Sequence, residues 1–198
     1  LLGGMALAKG ADEVYRLARA VGDMFRYAVG SEGDLVGLEQ ELAHARNYLL
    51  IQQHRFAGRC EVSIESEPAV LASPIPRFTL QPLVENAFEH GLQKKPGRWR
   101  VSVRCVRRRR ATMIVVEDNG LGMEAERLHE LRRSLRAVET ADGSRSIGLR
   151  NVDTRLRLHF GDRHRLLIRS RPGAGTTIAL ALPHPSTHRN GIQGGKNE

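Results

Sequence analysis

The spacing of apolar residues in this chain changes at Gly58, from every third or fourth position before it to every second position after it. A chain that uses both periods must combine helices and strands. From Asp12 to Val29 the residues Val14, Leu17, Ala18, Val21, Met24, Phe25 and Ala28 follow the helical spacing, with Asp12 as the N-cap and Glu13 in the first turn. Gly30, Ser31, Gly33 and Asp34 interrupt the pattern. A second helix follows from about Leu38 to Phe56, with Leu38, Leu42, Ala45, Leu49 and Phe56 on one stripe and Gly58 as its stop. His44 and His54 fall on the solvated side of that helix. Two such helices cannot bury both stripes against each other. They need a body to dock on, or a second copy with which to form a four-helix bundle.

After Gly58 the chain reads as α/β. Glu61 to Ser66 alternates with Val62 and Ile64 on one face, and the proline-bearing segment 67–78 is a connection. A helix with Phe78, Leu83, Val84, Ala87 and Phe88 on its apolar side ends at Gly91, and Pro82 belongs in its first turn. Strands are expected at Trp99–Val106, Met113–Val116, Arg165–Ser170 and Thr176–Leu182, and helices at Glu124–Ala137 and Ile147–Phe160. The expected fold is α+β: a mixed sheet of about five strands with about three helices on one face, preceded by the helical hairpin. The expected divisions are a hairpin over 1–58, a domain over 59–183 and a disordered polar tail over 184–198.

Composition narrows the partners without choosing one. The chain has 198 residues, 31 Lys and Arg against 22 Asp and Glu, and a net charge of +9, which suits a nucleic acid, an anionic lipid or a nucleotide equally. Arg107–Arg110 fits the tip of a charged hairpin. Aromatic residues make up 5% of the chain and no nucleic-acid recognition motif occurs, so no nucleic-acid partner is expected. Cys60 and Cys105 stand apart, in strand-like segments, as small apolar residues of a reducing compartment, with no disulfide or zinc implied. No stretch approaches the roughly 20 apolar residues needed to cross a bilayer. The chain opens with Leu1 rather than Met, as a piece of a longer protein would.

Four segments carry chemistry. LQPLVENAFEHGL sets Asn86 and His90 four apart on one helix face, and an Asn carbonyl suits a Mg²⁺ that keeps most of its waters. The same spacing also fits a surface Asn beside a partly buried His. VVEDNGLGM runs a strand into Asp118-x-Gly120-x-Gly122, where a carboxylate can accept a hydrogen bond from an adenine amino group and the glycines admit a base; it also fits an ordinary turn. GSRSIGLRNV opens a helix at Gly148, and helix N-termini bind phosphate through free N–H groups. RPGAGTTIALALP turns into the last strand, where the Thr176 hydroxyl can complete a base-binding end or simply follow a hairpin.

In this order the four segments resemble the N, G1 and G2 boxes and the terminal Gly-x-Gly-Thr strand of the GHKL ATP-binding fold. More narrowly, LEQELAHARNYLLIQQHRF, IPRFTLQPLVENAFEHG and IGLRNVDTRLRLHFG resemble the LytS-like sensor histidine kinases, from about Leu1 to Pro183. The resemblance implies a two-layer α/β sandwich of the GHKL (Bergerat) type that binds ATP with Mg²⁺. Asn86 would hold the metal, with His90 on the same face, and Asp118 the adenine. Gly120 and Gly122 would form the base-side loop, and Gly148 and Leu149 would offer N–H groups to the phosphates. Thr176 would support the adenine site, and Met123 to Ile147 would contain a mobile lid.

The resemblance also implies a homodimeric parent in the inner or cell membrane, with this part in the cytoplasm and a response regulator as partner. Three positions depart from the pattern. Ser146 stands where the group has a glycine, Glu89 where related kinases place a lysine, and Pro82 where hydrolytic members of the fold place a water-activating glutamate. The group's phosphoacceptor motif, Asn-Pro-His-Phe, does not occur, so no catalytic histidine is expected within these residues. The expected activity is transfer of the ATP γ-phosphate to a histidine upstream. Two alternatives stay open: a non-catalytic ATP-dependent dimer scaffold, and a serine kinase of the anti-sigma type.

Overall fold

The computed structural model describes residues 11–30, 33–56, 58–92, 95–136 and 147–184, with the backbone alone at His90. Helix α1 spans Asp12–Val29, and α2 spans Leu38–Arg55 after a three-residue strand β1, Leu35–Gly37. Strand β2 is Cys60–Ser66, followed by a short 3-10 turn at Pro68–Val70 and strand β3 at Pro74–Pro76. Helix α3, Leu80–Asn86, widens into a π-helical turn over Ala87–Leu92. Strands β4, Trp99–Arg108, and β5, Ala111–Asp118, precede α4, Ala125–Arg136, and α5, Ile147–Phe160. Strands β6, Leu167–Arg171, and β7, Gly175–Pro183, end the described fold.

Five strands form one mixed sheet in the order β2-β4-β5-β7-β6. Among the described strands only β2 and β4 run parallel, and the segment holding α3 supplies the crossover that a parallel pair needs. Strict alternation buries one face: Trp99, Val101, Val103 and Cys105 on β4, Thr112, Ile114 and Val116 on β5, and Ile178, Leu180 and Leu182 on β7. The opposite face of β2 and β4 carries register partners of opposite charge, Glu61 with Arg100 at 3.5 Å and Glu65 with Arg104 at 3.7 Å. The same alternation, continued to the end of β5, delivers Asp118 to the buried face. The mixed sheet and its helices are those the sequence pattern predicts.

The hairpin divides its labour. Leu38, Leu42, Ala45 and Leu49 of α2 are buried in the same core as α3 and the sheet, each Leu worth about 1.5–3 kcal/mol of burial. Helix α1 lies on α2 and buries only Ala20 among its residues, leaving Phe25 67% and Val29 81% exposed. The docking of α2 corrects two expectations. His44 is 4% exposed, not solvated, because the helix face beyond the apolar stripe meets α1 and α3. His54 is half-buried and lies 3.1 Å from Glu13. Asp12 does not cap α1: Ala11 holds the cap position, with no side-chain cap bond. Strand β3 lies in the segment expected as plain connection, and it pairs with β1 through Val36 and Ile75 in a short antiparallel ribbon. Arg109 and Arg110 do form the hairpin turn. Of the expected tail only His184 is described, and residues 137–146, with Ser146, lie outside the described residues.

Candidate functional site

The site is organised along one helix, α3 and its π turn. At the C-terminal end of that helix, Gly91 meets the end of β5: a Cβ on Gly91 would lie 2.7 Å from Asp118 Oδ1. A Cβ on Gly120 would lie 2.4 Å from the backbone of Gly91, and the Leu121 N–H donates to the Gly91 carbonyl at 2.8 Å. Two chains approach this closely only where neither has a side chain. The π turn, with its wider backbone spacing, brings Gly91 into that contact. Gly122 adopts φ +70 against the carbonyl of Arg171, so the loop after β5 is pinned to the β6–β7 turn.

Asp118 is 9% exposed and accepts a 2.7 Å hydrogen bond from the Gly120 N–H through Oδ1. Burial pushes its carboxyl up to about 6, while the N–H groups of Gly120 and Thr176 and the charge of Lys95 pull it back. Thr176 is the register partner of Asp118 on β7, and its hydroxyl lies 2.9 Å from that of Ser170. The Lys95 ammonium donates to the Asn119 carbonyl, and Asn119 accepts from the Arg100 N–H at 2.8 Å, which anchors the residue between the carboxylate and Gly120.

At the other end of α3, Gly148 packs on Pro82, where a Cβ would lie 3.3 Å from the Pro82 ring. The first turn of α5 therefore opens beside α3, with its leading N–H groups free of intrahelical partners. The Leu149 side chain is buried, so what it offers at the helix start is its backbone. Asn86 lies on α3 between these two contacts, four residues after Pro82 and five before Gly91, half-buried and with no hydrogen-bond partner among the described residues. Nine residues of helix span only about 14 Å. Asn86, Asp118, Gly120, Gly148, Leu149 and Thr176 thus come together around it, with Gly122 on the adjoining turn; the side chain of His90 lies outside the described residues.

Among the described residues no cluster of three or more His, Cys, Asp or Glu is placed to hold a metal ion. A hard cation that takes few protein ligands and keeps water and substrate phosphate oxygens, as Mg²⁺ does, needs no such cluster. Within the stretch expected to contain a lid, α4 is docked through Leu128, Leu131 and Leu135. Gly91 and Lys95 were not anticipated. Gly91 read as a helix stop, and Lys95 sits in a polar connection whose only signal was its charge. Cys60 and Cys105 are free thiols, and burial pushes the first up to about 11 and the second up to about 12.

Residues 74–186 match the sequence model of the family described as Histidine kinase-, DNA gyrase B-, and HSP90-like ATPase, and residues 2–60 match that described as Histidine kinase. The sensor histidine kinase YesM of Bacillus subtilis is 30% identical over 90% of this chain and 29% of its own length. The sensor protein LytS of Bacillus anthracis is 35% identical over 78% of this chain and 26% of its own length. The histidine kinase domain of a blue-light activated histidine kinase from Erythrobacter litoralis matches with a TM-score of 0.52 at 16% identity, over 90% of this chain and 82% of that one. The catalytic domain of histidine kinase ThkA matches with a TM-score of 0.55 at 10% identity, over 77% of this chain and 99% of that one. At those identities the structural likeness concerns the fold.

Proposed function

Because the chain belongs to the family of histidine kinase-, DNA gyrase B- and HSP90-like ATPases, we propose that it is the ATP-binding catalytic part of a two-component sensor histidine kinase. The γ-phosphate of ATP passes to a histidine outside these residues. What supports this reading above all is the approach of Asp118 and Gly148 to the same short helix, with Asn86 between them.

Asp118 accepts the adenine amino group, held ionised at neutral pH despite its burial. Gly120 and Gly122 leave room for the base, and Thr176 supports Asp118 from β7. The free N–H groups at Gly148 and Leu149 face the phosphates, and Asn86 offers its carbonyl to Mg²⁺, with His90 one turn on. Bound Mg²⁺ neutralises phosphate charge. The chain itself contributes positioning and fixed dipoles, which supply most of the catalysis in phosphoryl transfer. Pro82 occupies the place of the water-activating glutamate and packs on Gly148, so no base at that position directs water at the phosphate. This favours a kinase over a free-running ATPase.

Residues 1–58 serve as the remnant of a dimerisation and phosphoacceptor region, 59–183 as the ATP-binding domain and 184–198 as a tail. The parent protein dimerises, passes phosphate to a response regulator and is anchored in the cell membrane with this part in the cytoplasm. Among the described residues no helix is long and apolar enough to cross a membrane. Titration of the chain with ATP and Mg²⁺ tests the reading. Saturable binding is expected, and γ-labelled ATP is expected to leave no label on the chain. Acid-labile, base-stable label on these residues would overturn the placement of the acceptor outside them, and failure to bind ATP would overturn the whole.

A further inference from the structure

We infer that the loop Arg77–Thr79 is a coupling junction through which the position of α1 sets the nucleotide affinity of the site. The inference rests on the functional reading above. Three helices are tied to these three residues. Glu41 of α2 is 0% exposed; its carboxylate accepts from the Phe78 N–H at 2.6 Å and from the Thr79 and Leu80 N–H groups at 2.8 Å each. Glu41 therefore caps α3, the helix that carries Asn86. The same carboxylate accepts from the Tyr27 hydroxyl of α1.

Arg77 closes the circuit from the other side. Its guanidinium donates to the carbonyls of Tyr27 and Gly30 at the end of α1, and lies 4.8 Å from the centre of the Tyr27 ring. From α5, Arg155 donates to the carbonyl of Arg77 and, at 2.9 Å, to that of Phe78. Helix α5 is the one that presents Gly148. Phe78 holds φ 54, a left-handed conformation that a bulky residue keeps only where its surroundings over-determine it. A second chain of hydrogen bonds runs parallel to the first. Gln81 Nε2 donates to Glu85 at 2.6 Å, which leaves Gln81 Oε1 to accept from His44 Nε2 at 2.6 Å. Glu85 is the neighbour of Asn86, and His44 stacks on Tyr27 with ring centres 4.4 Å apart.

At the end of α1, Phe25 and Val29 face solvent, and Tyr27 carries contacts to Glu41, His44 and Phe78. Arg77 also lines two cavities, one of about 650 Å³ beside Tyr27 and Gln40 and one of about 510 Å³ beside Phe78 and Arg155. The junction is thus clamped by hydrogen bonds and rings but not packed solid on either side. A shift of α1 has room to occur, and its first effect is on the cap of α3.

The test is a double-variant cycle on the 198-residue chain, read as the affinity for a fluorescent ATP analogue with Mg²⁺. Tyr27→Phe removes one hydroxyl and leaves the ring; Arg77→Met removes the two hydrogen bonds to α1 and keeps an unbranched stem. Each is expected to weaken binding about fivefold or more, and the two together by no more than the larger single effect. Arg77→Lys restores part of the loss. Leu182→Ala, buried at the end of β7 away from Asp118, serves as the control for destabilisation alone and lowers the melting temperature without changing affinity. Unchanged affinity in Tyr27→Phe and Arg77→Met, or effects that multiply independently, overturns the inference while ATP binding by the parent chain stands. Failure of the parent chain to bind overturns the functional reading and this inference with it.

Discussion

Asp118→Asn is expected to stabilise the nucleotide-free protein at pH 7.5 while weakening its hold on ATP. The carboxyl stands at about 6 in the fold against an ordinary 3.8, mainly because burial disfavours its charge. A raised carboxyl favours the fold fully below about pH 3.8, and that contribution is lost as pH rises through about 6. The gap is worth about 3 kcal/mol at about 1.36 kcal/mol per pH unit. Asparagine stays neutral throughout and still accepts from the Gly120 N–H, but its NH₂ cannot accept from Thr176. That loss costs about 1 kcal/mol and leaves a net gain of about 2 kcal/mol. For a chain of this length the gain corresponds to a rise in melting temperature of about 4–8 °C at pH 7.5. It should vanish or reverse at pH 4, where both residues are neutral. ATP affinity, which draws on the charge, should fall about tenfold or more. Thermal unfolding of both proteins at the two pH values, with a nucleotide titration at the higher one, measures each quantity. Equal stabilisation at pH 4 and pH 7.5, or none at either, would refute the reasoning from burial.

Three further outcomes follow from the same geometry. Gly120→Ala places a Cβ 2.4 Å from the Gly91 backbone, which has no flexible end to yield, so it should cost about 1–3 kcal/mol or more and abolish nucleotide binding; an unchanged melting temperature would contradict this. Asn86→Ala removes a half-buried side chain with no partner among the described residues, so stability should hold within about 0.5 kcal/mol while Mg²⁺-dependent ATP binding falls at least about tenfold. Equal loss of Mg²⁺-free ADP binding would show that Asn86 is not the metal's partner. Glu41→Ala leaves three amide donors at the start of α3 unpaired and should cost about 3–5 kcal/mol in denaturant unfolding, whereas a cost within about 0.5 kcal/mol would remove Glu41 as the cap.

Much of this was legible in the residues, and what was not has a common cause. Helices α1 and α5 occupy the stretches their apolar spacing marks, because each spacing is a local property of one element. Asp118 could be placed at a strand end because the continuous apolar run Met113–Val116 leads into it, while the face it occupies shows only in the folded sheet. Glu41 and His44 were illegible: both look like solvated helix residues, and both are buried by partners on other elements, Tyr27 of α1 and residues of the 78–81 segment 37 or more positions away. The β1–β3 ribbon is too short, and too rich in proline, to show an alternating pattern. In the site, the order of the motifs named the chemistry, but the contact of Gly91 with Gly120 and the charge of Lys95 beside Asp118 exist only once the helix lies against the strand end.

A crystal structure of this chain with a non-hydrolysable ATP analogue and Mg²⁺ would show where the nucleotide sits. The adenine amino group should lie within hydrogen-bonding distance of the Asp118 carboxylate, the metal beside the Asn86 carbonyl, and the phosphates before the N–H groups of Gly148 and Leu149. An analogue seated away from α3, or one whose adenine faces away from Asp118, would contradict the site described here.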